Sequence, residues 1–194
     1  MRRVVLLTGE RGVGKTGVCQ RVVEETRRRG YCCSGVLSPA VFEGTEKRAI
    51  DLVDLSTGEA RPLAVADENA GEIRTGKYRF LPATLEWGSR ALERATPCHL
   101  LVVDELGPLE VELGRGLVVA WNLLDSAPFS LALVVVRPEL VKEVGDRLEL
   151  LRPMVLEVTS NNRDELPMHI LALLQKEVSE PDLFTGQDGC IIDS

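Results

Sequence analysis

Residues Gly9-Glu10-Arg11-Gly12-Val13-Gly14-Lys15-Thr16 carry the spacing G-x-x-x-x-G-K-[ST], and each residue type in it has a chemical use. A polyphosphate needs several backbone N–H donors pointing inward, and glycine lets the main chain wrap that closely with positive φ. A helix starting where the loop ends turns its unpaired N–H groups and positive dipole end to the same oxygens. Lys15 would place a charge between the β- and γ-phosphates, and the Thr16 hydroxyl would take a coordination position on Mg²⁺. With Gly17, the whole run Gly9 to Gly17 is the candidate nucleotide-binding segment.

A second group completes such a site. Leu100-Leu101-Val102-Val103 is an apolar run ending in Asp104-Glu105, the form of a buried strand that delivers a carboxylate toward a metal at its C-terminal edge. Asp104 is expected to hold Mg²⁺ through water. Glu105 is expected to orient, or accept a proton from, a water attacking the γ-phosphate. Successive strand side chains point oppositely, so both can serve only if the strand has just ended, and Gly107-Pro108 is the expected break. The acid doublet favours hydrolysis over nucleotide storage.

Phosphoryl transfer is often assisted by an arginine, and 18 of the 23 basic residues are Arg. Arg11, Arg48, Arg137 and Arg163 are the candidates, with no means of choosing among them. For the base, Asn162 offers an amide and Arg163 a planar guanidinium for stacking. A plain turn ahead of a helix capped near Asp164, with Pro167 in its first turn, accounts for the same residues equally well.

Positioning these groups requires an α/β fold. Short apolar runs at Val4–Thr8, Cys33–Leu37, Leu100–Val103, Leu131–Val136 and Val155–Val158 lack polar alternation, as expected of parallel strands covered on both faces. Helical spacing lies between them: Val18, Val22 and Thr26 on one face; Leu113, Leu117, Trp121 and Leu124 on another; Leu166, Ile170 and Leu174 on a third. The first helix should end at Arg27-Arg28-Arg29-Gly30, basic residues at the negative dipole end and glycine just past it. Ile50–Leu55 alternates at period two, turns at Ser56–Glu59 and returns over Arg61–Ala66, an expected hairpin. Asp67–Phe80 shows no period and is expected to be a surface loop. The chain of 194 residues suits one domain over residues 1–177, with the hairpin inserted at about 48–66 and a loose tail at 178–194.

Composition narrows the function. A net charge of −7 argues against nucleic acid or an anionic membrane as partner. The charge is divided: residues 1–97 carry a net of +3 and residues 98–194 a net of −10. No apolar run approaches the length of a membrane span, and Thr8-Gly9-Glu10-Arg11 cuts short any resemblance to an export signal, so a cytoplasmic monomer is expected. Five cysteines without C-x-x-C spacing are expected to be reduced and structural, and His99 and His169 to be packing residues.

The chain resembles the thermophile-type nucleoside triphosphatases, whose animal members are called cancer-related nucleoside triphosphatases. The resemblance covers about residues 3–175. It rests on Gly12–Thr16, Asp51–Leu55 with Gly58-Glu59 and Arg61–Ala64, Gly76-Lys77-Tyr78, Asp104-Glu105-Leu106-Gly107-Pro108-Leu109-Glu110, and Val158-Thr159 with Asn162-Arg163-Asp164. It implies a P-loop NTPase fold, three-layered and Rossmann-like, with a mainly parallel sheet and an inserted β-hairpin. It also implies Mg²⁺-dependent hydrolysis of nucleoside triphosphates, ATP and GTP included, to diphosphates with broad base preference, and the roles described above for Lys15, Thr16, Asp104 and Glu105. Three features depart from the family. Arg48-Ala49-Ile50-Asp51 replaces the usual Arg-x-Gly-Phe-Asp, Gly17 replaces a second hydroxyl residue, and the 178–194 tail has no counterpart. A P-loop kinase using the 67–80 loop for its acceptor, or a slow nucleotide-dependent binding switch, is the alternative reading.

Overall fold

The computed structural model describes residues 2–66 and 73–178; the expected tail beyond Val178 and the first part of the 67–80 loop lie outside the described residues. In chain order the elements are β1 (Arg3–Thr8), α1 (Lys15–Arg28), β2 (Cys33–Leu37), β3 (Ala40–Glu43), β4 (Glu46–Asp54), β5 (Ala60–Ala66), β6 (Arg74–Thr75) and β7 (Tyr78–Phe80). There follow α2 (Pro82–Glu93), β8 (Cys98–Leu106), α3 (Pro108–Val111), α4 (Val119–Ser126), β9 (Phe129–Val136), α5 (Val141–Arg147), β10 (Met154–Glu157) and α6 (Leu166–Val178).

All the strands join one sheet in the order β10-β1-β9-β8-β2-β4-β5-β7-β6, with β3 paired to β4. The portion β10-β1-β9-β8-β2 is parallel throughout. The central strands β1, β8 and β9 read as apolar runs because alternate residues enter two different cores, whereas β10, at the edge and expected to be covered on both faces, leaves Val155 48% exposed. Val4 and Leu6 of β1, Leu101 and Val103 of β8, and Ala132, Val134 and Val136 of β9 pack with α2, α4 and α5. Val5 and Leu7, Leu100 and Val102, and Leu131, Leu133 and Val135 pack with α1 and α6. Burying both faces of a strand between helices demands hydrophobic residues at every position, and the three layers follow.

The antiparallel extension is larger than the expected hairpin. β4 and β5 pair as anticipated, but β3 adds to β4. Part of the supposed 67–80 loop is structured: β7 pairs with both β5 and β6. Their brevity, two and three residues, leaves no readable period. The helical face drawn through Leu113 also needs correction. α4 begins only at Val119, and Leu113 is 57% exposed in a turn carrying Gly114 and Gly116 at positive φ. Glycines that require left-handed backbone end the helix the spacing alone suggested.

Two expectations about single residues also change. Cys32 is disulfide-bonded, whereas Cys19, Cys33 and Cys98 are free and buried; sequence spacing carries no information on a pairing made in three dimensions. His99 is a structural residue, its Nδ1 accepting the Cys32 N–H at 3.0 Å, but His169 is exposed on α6.

Candidate active site

β1 ends at Thr8 and the chain turns at once. Gly9 has φ +138°, and a Cβ there would lie 2.5 Å from the Val158 carbonyl oxygen, so the loop can pass β10 only as glycine. Gly12 and Gly14 are also left-handed, at φ +77° and +110°. α1 then starts at Lys15 with no side-chain cap and no acid in its first turn, leaving its N–H groups to the concave side of the loop. Lys15 curls back over the loop, its Nζ donating to the carbonyls of Gly9 (2.6 Å) and Glu10 (2.9 Å). Burial lowers its pKa, while the negative charges of Glu105 and Asp104 oppose that shift. Glu10 and Arg11 are exposed. Val13 is half-buried against the α1 core, and Gly17 faces open space.

Across from the loop, the alternation of β8 decides the direction of Asp104. Leu100 and Val102 face α1, so Asp104 does as well, toward Thr16 at the head of that helix. Its carboxylate, 2% exposed, accepts the Ser38 N–H at 3.1 Å, and the Thr16 side chain lies close enough to favour its charged form. The Ser38 hydroxyl donates to the Asp104 backbone carbonyl. Burial pushes the Asp104 pKa up to about 6, against the pull of those two groups.

Glu105 is placed differently from expectation. The strand does not end there; β8 runs on to Leu106, and Gly107-Pro108 comes later, opening α3. Instead Asp104 pairs with Val135 and Leu106 with Val136, so Glu105 is the extra residue of a β-bulge. A bulge re-aims a side chain without ending the ladder, and it frees Glu105 from facing away from its neighbour. The Glu105 Oε1 accepts the Arg137 Nε–H at 2.5 Å, with the two side chains 35% and 20% exposed. β9 lies between β1 and β8 in the sheet. Arg137, the residue just past β9, therefore emerges between the loop and the acids.

The other arginines part company. Arg48 is engaged at the β3–β4 turn by Glu43 (3.3 Å) and Glu46 (3.2 Å). Arg163 lies along the loop's flank, its Cδ 3.7 Å from where a Cβ on Gly14 would be. The Asn162 amide is used by its own turn, Oδ1 accepting the Thr159 N–H and Nδ2 donating to the Glu157 carbonyl, both at 2.8 Å. Arg21 of α1 ties this turn down through Asp164 (2.8 Å) and the Arg163 carbonyl (3.0 Å).

Thr16 and Asp104 together suit Mg²⁺: two hard oxygen ligands close together, the carboxylate buried, and neither hydrogen-bonded to a basic side chain among the described residues. Mg²⁺ takes one or two protein oxygens and completes its shell with water and phosphate oxygens. Four residues that the structure engages were not singled out for a role by sequence reasoning. Ser38 has no signal beyond following β2. Glu110 lies in the quoted motif, but nothing local shows that its carboxylate clamps two backbone N–H groups, those of Gly107 and Leu117. Lys47 and Tyr78 come from the antiparallel extension, where the Lys47 Nζ lies 5.2 Å from the Tyr78 ring centroid, and only the tertiary fold brings the two together.

Comparison with known proteins gives a consistent picture. The family described as NTPase matches residues 4–171. Nucleoside-triphosphatase THEP1 of Methanopyrus kandleri is 32% identical over 171 residues, which span 86% of this chain and 92% of that protein. The solution structure of a human cancer-related nucleoside triphosphatase superposes with a TM-score of 0.71 at 25% identity, covering 90% of this chain and 98% of the other. The crystal structure of THEP1 from Aquifex aeolicus shares the fold with a TM-score of 0.65 at 20% identity, over 90% and 99% of the two chains.

Proposed function

Because this chain belongs to the NTPase family, we propose that it hydrolyses nucleoside triphosphates, ATP and GTP among them, to diphosphate and phosphate, with Mg²⁺ as its metal. The observation that carries this reading is the bulge at Glu105. It splits the acid doublet, so that Asp104 meets Thr16 while Glu105 meets Arg137.

The backbone N–H groups of Gly9 to Thr16 and the first turn of α1 would bind the phosphates, and Lys15 would exchange its two loop carbonyls for β- and γ-phosphate oxygens. Thr16 and Asp104 would hold Mg²⁺, which when bound neutralises charge on those oxygens. Glu105, partly open to solvent, orients the attacking water and takes its proton. Arg137 restrains that carboxylate and brings a fixed guanidinium to the oxygens where charge accumulates. Its position between the loop and Glu105 makes it the favoured arginine of the four candidates. Arg163 flanks the loop on the side away from the acids and would lie against the nucleotide. With the Asn162 amide occupied in its turn, a guanidinium face that stacks on any ring supports broad base preference. The same reading takes residues 1–177 as one domain and the protein as a cytoplasmic monomer with no nucleic-acid partner. Its net charge of −7 supports the last point.

Phosphate release from ATP and GTP, with Mg²⁺ and with chelator, tests the activity. Glu105→Gln should lower turnover by about 10²-fold or more and leave nucleotide affinity nearly intact. Equal loss of turnover and affinity, or no release from any triphosphate, would overturn the proposal.

A further inference from the structure

Helix α3 is a single turn of four residues. Glu110, its third residue, reaches back to the N–H of Gly107, the residue before the helix, at 3.0 Å. An acid that only caps so short a helix can do so from the surface, where water solvates it. Glu110 is instead 7% exposed. Its other oxygen accepts the Leu117 N–H at 3.0 Å, and no basic side chain among the described residues pairs with it. Two glycines shape the seat: a Cβ on Gly116 would stand 2.2 Å from the Glu110 Oε1, and one on Gly107 would stand 3.8 Å from the Oε2. Burying a carboxylate without a cation is costly, and here two backbone N–H groups offset the cost. The chain thus spends a buried charge where a solvated residue would cap the helix equally well.

The clamp holds the backbone against which Glu105 sits. Glu105 is the extra residue of the β8 bulge, between Asp104, paired with Val135, and Leu106, paired with Val136. A bulged residue has no ladder partner, so the ladder alone does not fix its side chain. Two neighbours do. On one side the Arg137 Nε lies 2.5 Å from the Glu105 Oε1. On the other, the same Oε1 lies 3.3 Å from where a Cβ on Gly107 would be. The Glu105 carboxylate therefore rests against the residue whose N–H Glu110 grips. Leu117, at the far end of the clamp, is buried in one core with Trp121 and Leu124 of α4, which ties the turn after Glu105 to the body of the protein.

We infer that Glu110 is a positioning residue for hydrolysis: by tying Gly107 to Leu117 it fixes the turn behind Glu105, and so the place at which the Glu105 carboxylate meets Arg137 and the attacking water. Glu110 is itself enclosed and acts through Glu105. The inference rests on the reading of Glu105 as the group that orients that water. Displacing a reacting group by about 1 Å can cost about 10²-fold in rate, so a loosened turn is expected to show in turnover and not in nucleotide affinity.

Two variants test this. Glu110→Gln keeps the side chain's length but offers one acceptor where two N–H groups point. Gly116→Ala leaves Glu110 intact and puts a Cβ 2.2 Å from its Oε1, which pushes the carboxylate from its seat. Each is compared with wild type, under conditions where thermal melting shows it folded. The readouts are steady-state phosphate release from ATP with Mg²⁺, calorimetric titration of a non-hydrolysable ATP analogue, and the NMR signal of the Arg137 Nε–H, assigned by its loss in Arg137→Lys. Both variants should lower kcat by about tenfold or more, hold analogue affinity within about threefold, and shift or broaden the Arg137 signal. Added to Glu105→Gln, Glu110→Gln should cost less than about twofold further, because the group it positions is gone. Wild-type kcat in both variants overturns the inference. So does a loss of kcat that recurs in full on the Glu105→Gln background, or one matched by an equal loss of analogue affinity, since either makes Glu110 a structural support alone. Full turnover in Glu105→Gln would instead count against the reading of Glu105, and the Arg137 signal then decides whether Glu110 holds that carboxylate: a signal unmoved in both variants overturns the inference.

Discussion

Replacing Glu110 by Gln should change how stability depends on pH, and the structure sets both the sign and the size. Glu110 is 7% exposed. Its Oε2 accepts the Gly107 N–H and its Oε1 the Leu117 N–H, each at 3.0 Å, joining the turn after Glu105 to the segment leading into α4. Burial raises its pKa from 4.5 to about 7; the N–H donors pull it down, and the Glu105 charge adds to the rise. A carboxyl whose folded pKa lies above its unfolded value contributes stability that is fully present below the unfolded pKa and is lost as pH rises through the folded one. Here the full change is about 3 kcal/mol, most of it between about pH 5 and 8. Gln removes the titration and also one acceptor, since its amide nitrogen cannot receive the second N–H, at a cost of about 1–3 kcal/mol. At pH 5 the variant should therefore be the less stable protein. By pH 8 the gap should close or reverse, a relative swing of about 2–3 kcal/mol. Asp104, with its pKa raised to about 6, titrates in both proteins and cancels in the comparison. Urea unfolding of the two proteins at both pH values measures the swing. Parallel pH profiles would refute the reasoning, because they would mean Glu110 stays ionised in the folded protein across the window.

Arg137→Ala should lower turnover by about 10²-fold or more while nucleotide affinity stays within about threefold, and Arg137→Lys should recover little, because an ammonium does not reproduce the planar fork. Wild-type turnover in Arg137→Ala, read by steady-state phosphate release, would remove this residue from the chemistry. Gly35→Ala tests the sheet: Gly35 has φ +107°, and a Cβ there would stand 2.0 Å from the Val102 carbonyl oxygen. Strain and overlap together should cost about 3 kcal/mol or more, a fall in Tm of roughly 6–12 °C by thermal melting. A Tm unchanged from wild type would contradict the close approach of β2 to β8.

Much of the framework was legible because its signals are local. The phosphate loop is contiguous, so the spacing of Gly9, Gly14, Lys15 and Thr16 already implies strand, loop and helix, and α1 begins at Lys15. The parallel strands were readable for a related reason: burial on both faces leaves no polar position within Val4–Leu7 or Leu131–Val136. Where the signal was weak, the reading erred. The helical face through Leu113 ignored two glycines, and the short strands at Arg74–Thr75 and Tyr78–Phe80 lie below the length at which a period can be seen.

The amino-acid sequence by itself determined which chemical groups are available and which backbone can carry them: a glycine-bearing loop before a helix, a lysine and a threonine at its end, and two carboxylates closing an apolar strand. What each group faces was decided only in the tertiary structure. The aim of Glu105 comes from a register shift between β8 and β9, and the choice of Arg137 among the arginines comes from β9 lying between β1 and β8. The engagement of the Asn162 amide comes from a turn folded back on the end of β10, and the meeting of Lys47 with the Tyr78 ring comes from β4 and β7 flanking β5 in the antiparallel extension. These are pairings between segments distant in the chain, and hydrogen-bond register and strand order are properties of pairs of segments that no single stretch of residues encodes.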